Sequence, residues 1–447
     1  MLASLFWATD LLIMSLKSWG NFPNHPNTAI PLDHDTLDTI KPVLRSHSDV
    51  IAHGNGRSYG DSALNDFLIH TRSYNAILDF DAQHGVLHVQ SGALLSDILS
   101  VIVPHGWFLK ITPGTKQITI GGAIASDIHG KNHHIEGCFS TCIINFQLLL
   151  PNGSIKQCSL DENADLFHAT CGGMGLTGLI LDTKISLRPI KSSFIKQCTI
   201  KTNDLNDTFN IFETHNSTSY SVAWIDCFLS KNKIGRGLVM LGEFSDQHTL
   251  QLPKNNIKNI PFFWHPSLLN NYTIKLFNYC YYQRYFQRES FNTVSYETFF
   301  YPLDRLHQWN QLYGKNGFIQ YQFILPKDQS LAGIRHILNE IASQTIKPYL
   351  AVLKLYGKEN KNYLSFPLEG YSLALDFKIQ PGLFAFLDKL DTLVLMYKGR
   401  LYLSKDARMS KTTFEKGYPK VTLFRNIRQS YNLNSTFNSL QSKRLHL

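Results

Sequence analysis

Three glycine-rich segments, GNGRSYGDSALN (54–65), PGTKQITIGGAIASDIHGKNHHIEG (113–137) and CGGMGLTG (171–178), crowd the amino-terminal part of the chain. Glycine gives up more conformational freedom on folding than any other residue, so it is placed where a side chain would obstruct. Small residues let backbone N–H groups approach an anion closely, and successive N–H groups in turn conformations form concavities suited to a pyrophosphate. Any one of these segments alone reads as a turn.

Gly173, Gly175 and Gly178 spell G-x-G-x-x-G. That fingerprint needs a strand before it and a helix after it. Here a helix is predicted first, ENADLFHAT (162–170), and a strand, LILDTKISL (179–187), follows. In the first segment Tyr59 stands where the third glycine would be. A nicotinamide-binding Rossmann domain is disfavoured on both counts.

The 447 residues exceed what a single hydrophobic core usually serves, so two domains are expected. Residues 19–190 alternate β-rich runs with glycine turns, and NGSI (152–155) supplies an asparagine-glycine hairpin turn. Beyond Pro189 glycine thins out and Tyr, Phe, Asn and Lys increase, which puts a second domain at 191–400. There YQFILP, LAVLKLYG and YSLALDFKI read as strands, and LAGIRHILNEIASQ and GLFAFLDKLDTLVLMY as amphipathic helices. The expected fold class is α+β, an antiparallel sheet covered by helices beside the glycine-rich domain. Residues 401–447 are expected to form a C-terminal segment, with a helix and a tail, that returns to the glycine-rich domain.

The net charge of +9 favours anionic partners. Lys/Arg are scattered, as in Lys254, Lys258, Arg284 and Arg288, and form no stripe, so nucleic acid is not expected as a partner. Seven cysteines without C-x-x-C spacing read as reduced thiols of a cytosolic protein. His129, His133 and His134 lack the glutamate of a zinc motif, and Gly130 interrupts any helix there, so no metal is expected. Residues 1–18 form an extension, either a start upstream of a true beginning at Met14 or a short membrane anchor.

Taken in this order, the three glycine segments resemble the FAD-binding domain of the vanillyl-alcohol oxidase family, the p-cresol methylhydroxylase fold. The resemblance implies FAD contacts from Gly54, Asn55, Gly56, Arg57, Ser58, Tyr59 and Gly60. It implies others from Pro113, Gly114, Thr115, Gly121, Gly122, Ala123, Ser126, His129, Gly130 and Asn132, and then from Gly175, Gly178, Ile180 and Tyr402. Many members attach FAD through a histidine of the first loop; Tyr59 occupies that place, which implies non-covalent FAD, and His53 just outside reads as structural.

ASDIHGKNHH (125–134), GRSYGD and LYLSKDAR (401–408) are similar to a narrower group of the family, the polyprenyl-phosphoribose 2′-oxidases, and the likeness extends through YPLDRLHQWNQLYG, GFIQYQFILP and LKLYGKEN. It implies oxidation of a ribose 2′-hydroxyl to a ketone, a separate short-chain reductase that completes epimerisation to an arabinose donor, and a quinone as electron acceptor. Lys405, His129 and Tyr59 are the implied catalytic residues. Lys131, Gln320, Gln322, Lys354, Ser372, Phe300 and Trp224 are the implied substrate contacts. Gln320 and Gln322 are two apart, so on a strand they face the same side. The group has asparagine, cysteine and tyrosine where this chain has Ser372, Ala374 and Phe300, which leaves fewer polar groups for the sugar or phosphate.

FFWHPSLLNNYTIKLFNYCYYQRYFQR (262–288) interleaves aromatic and basic residues, which suits either a lipid interface or an aromatic core. The first reading predicts a bacterial protein in the cytoplasm, peripheral at the inner face of the membrane. An aldonolactone or alditol oxidase of the same fold, using a soluble polyol and oxygen, is the alternative.

Overall fold

The structure is a computed structural model that describes residues 16–33, 37–247, 249–253, 258–259 and 269–447. The expectations for residues 1–14, Lys254 and the FFWHPSL start of the aromatic segment lie outside these residues.

The glycine-rich half holds two sheets. Thr28–Pro31, Phe67–His70 and Val50–His53 form a parallel three-stranded sheet. Five antiparallel strands follow in the order Ile77–Asp81, Val86–Gln90, Leu179–Pro189, Ile143–Leu149 and Ile155–Cys158, with Trp107–Leu109 paired to the far end of the third. The asparagine-glycine turn closes the expected hairpin: Leu150 N–H donates to Ser154 O at 2.9 Å, and Gly153 takes φ +83°, which favours glycine. The predicted helix appears as Ala164–Thr170, followed by the strand Leu179–Pro189.

Most of the remaining strands join an eight-stranded antiparallel sheet. Its centre runs Tyr220–Ile225, Leu350–Tyr356, Gly370–Lys378 and Phe318–Pro326. Side chains alternate across such strands. One face carries Leu353, Leu355, Leu373, Leu375, Tyr321 and Phe323, all buried in one core with helices Lys327–Ser343 and Leu383–Met396. The opposite face carries Gln320, Gln322, Lys354, Ser372 and Ala374 and lines a cavity. The fold is therefore the α+β arrangement expected, with one face of the large sheet covered by helices Lys327–Ser343 and Leu383–Met396.

The tail joins both halves. Arg400–Leu401 adds an edge to the large sheet by pairing with Phe323 and Ile324. Helix Leu440–Leu445 packs near the first glycine loop, where Arg444 binds Asp61 at 2.7 Å and Asp406 at 2.8 Å. No described helix is long and apolar enough to cross a membrane.

Candidate active site

The three glycine segments converge. A Cβ on Gly54 would lie 2.4 Å from Thr119 Oγ1, so bulk there would push the first two loops apart. One on Gly121 would lie 2.9 Å from Ser91 Cβ, so bulk there would push the second loop off the turn that follows strand Val86–Gln90. Asn55 Nδ2 donates to Gln117 O at 2.7 Å, and Met174 N–H to Ala125 O at 2.8 Å, which ties the third segment to the second. Thr119 caps the short helix Ile120–Ala125 by accepting from Gly122 N–H at 3.2 Å.

These loops and the polar face of the large sheet enclose one continuous cavity of about 1530 Å³. An ordinary small-molecule site measures about 300–1,000 Å³, so this space suits a large cofactor and a substrate together. Of the residues implied by the family resemblance, Gly60, Ala123, Gly130 and Asn132 do not line it. A Cβ on Gly60 would sit 1.9 Å from Asp406 O, so this glycine serves packing against the tail. Ala123 is buried in its helix, and Asn132 turns its amide to Lys110 O at 2.8 Å. Gly130 permits close approach to Thr112 O, 2.8 Å from where its Cβ would be. All the other residues named above from the resemblance line the cavity, from Gly54 to Lys405, except His53. His53 is buried behind the first loop with Nδ1 2.8 Å from Ala63 O, and burial lowers its pKa to about 4.

Buried cations gather at the sheet end. Lys405 Nζ lies 3.7 Å above the ring of Tyr59. Burial lowers its pKa to about 7; Asp376 opposes that shift and Lys354 adds to it. Burial likewise lowers Lys354 to about 8 and, with Lys354 as the second cause, Lys131 to about 7. Lys131 Nζ donates to Phe299 O and lies 4.4 Å from the Phe299 ring centroid. Gln322 Nε2 reaches Ser372 Oγ at 3.2 Å, Tyr356 Oη at 3.4 Å and His129 Nε2 at 3.4 Å.

His129 sits among the rings of Tyr356, Phe366 and Tyr402, 5.0–5.5 Å away. Burial holds its pKa well below the ordinary value, with Lys354, His133 and Lys405 adding to the shift, so the ring is neutral. With Nε2 accepting from Gln322, the proton belongs on Nδ1, which has no hydrogen-bond partner among the described residues. His133 and His134 are engaged elsewhere, with Gly357 N–H and Thr218 O.

Sequence reasoning missed several lining or supporting residues. Trp19 stacks on Arg57 at 4.0 Å, Asp304 faces Arg57, and Phe277, Tyr281 and Phe291 extend the cavity outward beside Trp224. Asp376 was legible in principle, because in YSLALDFKI it follows Ser372 and Ala374 at the same spacing of two.

The residues fit a flavin dinucleotide. Three buried atoms of cavity-lining residues, Arg57 Nε, Ser91 Oγ and His129 Nδ1, lack partners among the described residues, and a Cβ on Gly114 would meet nothing within 4 Å. Such a glycine-walled, cation-rich cavity on this α+β frame defines an FAD-dependent oxidoreductase. Residues 30–159 match the family model of an FAD binding domain. The chain is 34% identical over 453 residues to the decaprenylphosphoryl-beta-D-ribose oxidase of Mycolicibacterium smegmatis, covering 97% of each chain. It is 31% identical over 161 residues to the L-gulonolactone oxidase of Bos taurus, 34% of this chain and 36% of that one. The Delta(24)-sterol reductase of Homo sapiens is 27% identical over 115 residues, 26% of this chain and 22% of that one. The chain belongs to the vanillyl-alcohol oxidase-type family of FAD-linked oxidases, together with the mycobacterial ribose oxidase.

Proposed function

We propose that the chain oxidises the 2′-hydroxyl of a polyprenyl-phospho-β-D-ribose to the 2′-ketone, the first half of epimerisation to an arabinose donor. The observation that carries this reading is the end-to-end similarity, 34% identity over 97% of the chain, to a protein named for that substrate. Residues 19–190 with the tail 401–447 hold the cofactor in this reading, and residues 191–400 supply the substrate face.

Bound FAD supplies the two-electron acceptor for the hydride that leaves the sugar carbon. Lys405 takes the hydroxyl proton. An ordinary lysine would stay protonated at neutral pH, whereas one lowered to about 7 is half neutral there. Gln320 and Gln322 bind the sugar hydroxyls from one strand face, beside Ser372 and Tyr59. His129 offers Nδ1–H, and Lys131 and Lys354 counter the phosphate diester, whose charge would raise their pKa values again. Phe300 closes the sugar end without a hydroxyl of its own.

Trp224, Tyr281 and Phe277 form an apolar path outward for the lipid. Helix Asn271–Gln283 ends that path with Tyr272, Leu276 and Tyr279 exposed, and Phe286 follows at 96% exposure. Lys275 and Arg284 stand among them, a composition suited to peripheral contact with an anionic bilayer at the inner face of a bacterial membrane. A short-chain reductase would return the ketone to the opposite alcohol, and a quinone would reoxidise the protein.

The test mixes holoenzyme anaerobically with polyprenyl-phosphoribose and follows the visible flavin absorbance. The native protein should bleach, and Lys405→Met should bleach about 10²–10⁴ times more slowly. Unbleached native flavin would sink the reading. Peroxide formed rapidly from a free sugar alcohol would instead favour the soluble-polyol oxidase.

A further inference from the structure

Asp376 lies one step beyond Ser372 and Ala374 on the cavity face of strand Gly370–Lys378, and it is 1% exposed. It stands opposite Gln320 on one neighbouring strand and Leu350 on the other. Its Oδ1 accepts from Gln320 Nε2 at 2.7 Å, and that same nitrogen lies 3.4 Å from Tyr59 Oη. Its Oδ2 is buried and has no hydrogen-bond partner among the described residues. A buried carboxylate oxygen left unpaired is rare in a folded protein and calls for an explanation.

The charged and titratable groups around it come from several elements. Burial raises the Asp376 carboxyl to about 7, and the hydrogen bond from Gln320 and the cation Lys405, from the tail, oppose that shift in favour of the ionised form. Tyr59, from the first loop, and Tyr313 are the phenols its charge acts on. Lys378 follows it by two along the strand, and Lys354, on the next strand, acts on Lys405 with the opposite sign. A carboxamide has one donating and one accepting end, and a carboxylate only accepts. Gln320 therefore has its NH₂ committed to Asp376, and Oε1 is the end left for the cavity.

We infer that Asp376 is a positioning residue for the reaction proposed above, on whose reading this inference rests. Through Gln320 it decides which end of a carboxamide meets the sugar, and its negative charge strengthens Lys405 as the acceptor of the hydroxyl proton, which Lys405 releases to solvent before the next turnover. It makes and breaks no bond itself. The hydroxyl proton goes to Lys405, and the electron pair leaves with the hydride.

The test uses holoenzyme in native, Asp376→Asn, Asp376→Glu and Gln320→Met forms. Lys405 is labelled with acetic anhydride across a pH series and quantified by peptide mass spectrometry, and kcat and KM are measured with polyprenyl-phosphoribose. Loss of the negative charge in Asp376→Asn should move the labelling midpoint to lower pH and raise KM about tenfold. Asp376→Glu should keep the native midpoint. Gln320→Met should raise KM with the midpoint unmoved, and it carries the test if Asp376→Asn fails to fold. A native midpoint in Asp376→Asn, the same shift in all three variants, or a native KM in Gln320→Met would overturn the inference. Labelling needs no substrate, so the two proposals fail separately. A shifted midpoint without oxidation of the lipid sinks the reaction, and oxidation without a shift sinks the role of Asp376.

Discussion

His53 shows what burial does to a single residue. Its ring is enclosed, Nδ1 faces Ala63 O at 2.8 Å, and desolvation with the nearby His70 brings its pKa to about 4. The unfolded chain binds the proton near the ordinary value of about 6.5, so between that pH and about 4 the unfolded state holds more protons than the folded one. Stability is therefore complete above about pH 6.5 and erodes as pH falls, by about 3 kcal/mol for this group at pH 4. His133, lowered to about 3 by burial and by His134 and Lys354, erodes stability in the same direction. In urea titrations from pH 7 to pH 4, His53→Gln should lose stability less steeply than the native protein. Equal slopes would mean that His53 is already charged when folded. Lys405 lies under the same rule, but the cation above the Tyr59 ring was not legible as such in SKDAR: the string names a lysine, and only the enclosing strands remove its water.

Among elements, helix Asn271–Gln283 is the clearest case of one whose two faces have different jobs. Asn270 begins it with a capping box, accepting from Tyr272 and Thr273 N–H at 2.9 and 3.1 Å. Ile274, Asn278 and Tyr282 turn inward, and Asn278 Nδ2 donates to Asp226 Oδ1 at 3.0 Å. Tyr272, Leu276 and Tyr279 recur at i, i+4 and i+7 on the outer face. The sequence left this segment open between a lipid interface and an aromatic core, and the helix has one buried face and one exposed face. If the outer face meets a bilayer, Tyr272→Ser with Leu276→Ser should cut the partition onto phosphatidylglycerol vesicles, read by sedimentation, by about a hundredfold or more, since each apolar side chain withdrawn from lipid costs about 1.5–3 kcal/mol. Unchanged sedimentation, with turnover of a detergent-dispersed substrate also unchanged, would remove this helix from the membrane contact.

At the scale of the whole molecule, the tail closes the site. Arg444 bridges Asp61 of the first glycine loop and Asp406 beside Lys405, with both carboxylates nearly buried. Arg428, fully buried, donates to Leu176 O at 3.2 Å and also to Phe437 O, so it fastens the tail to the third glycine turn. Removing one partner of a buried ion pair strands the other charge and costs about 3–5 kcal/mol. Arg444→Met should therefore lower the melting temperature by several degrees and release FAD more readily, read by thermal melt and flavin fluorescence. A native melt with native FAD retention would show that the bridge does not hold the loop.

Local chemistry by itself determined much of this protein. The glycine segments, the asparagine-glycine hairpin, the helix before CGGMGLTG and the alternation that sends Gln320 and Gln322 to one face depend only on neighbours in the chain, because steric freedom and strand periodicity are local properties. Tertiary structure alone decided the rest. Gly60 and Asn132 turned to packing, Asp376 met Gln320 from 56 residues away, and three lysines lost their water in one cavity. Burial and counter-charge are set by whatever the fold brings alongside, and that information is not carried by any single stretch of sequence.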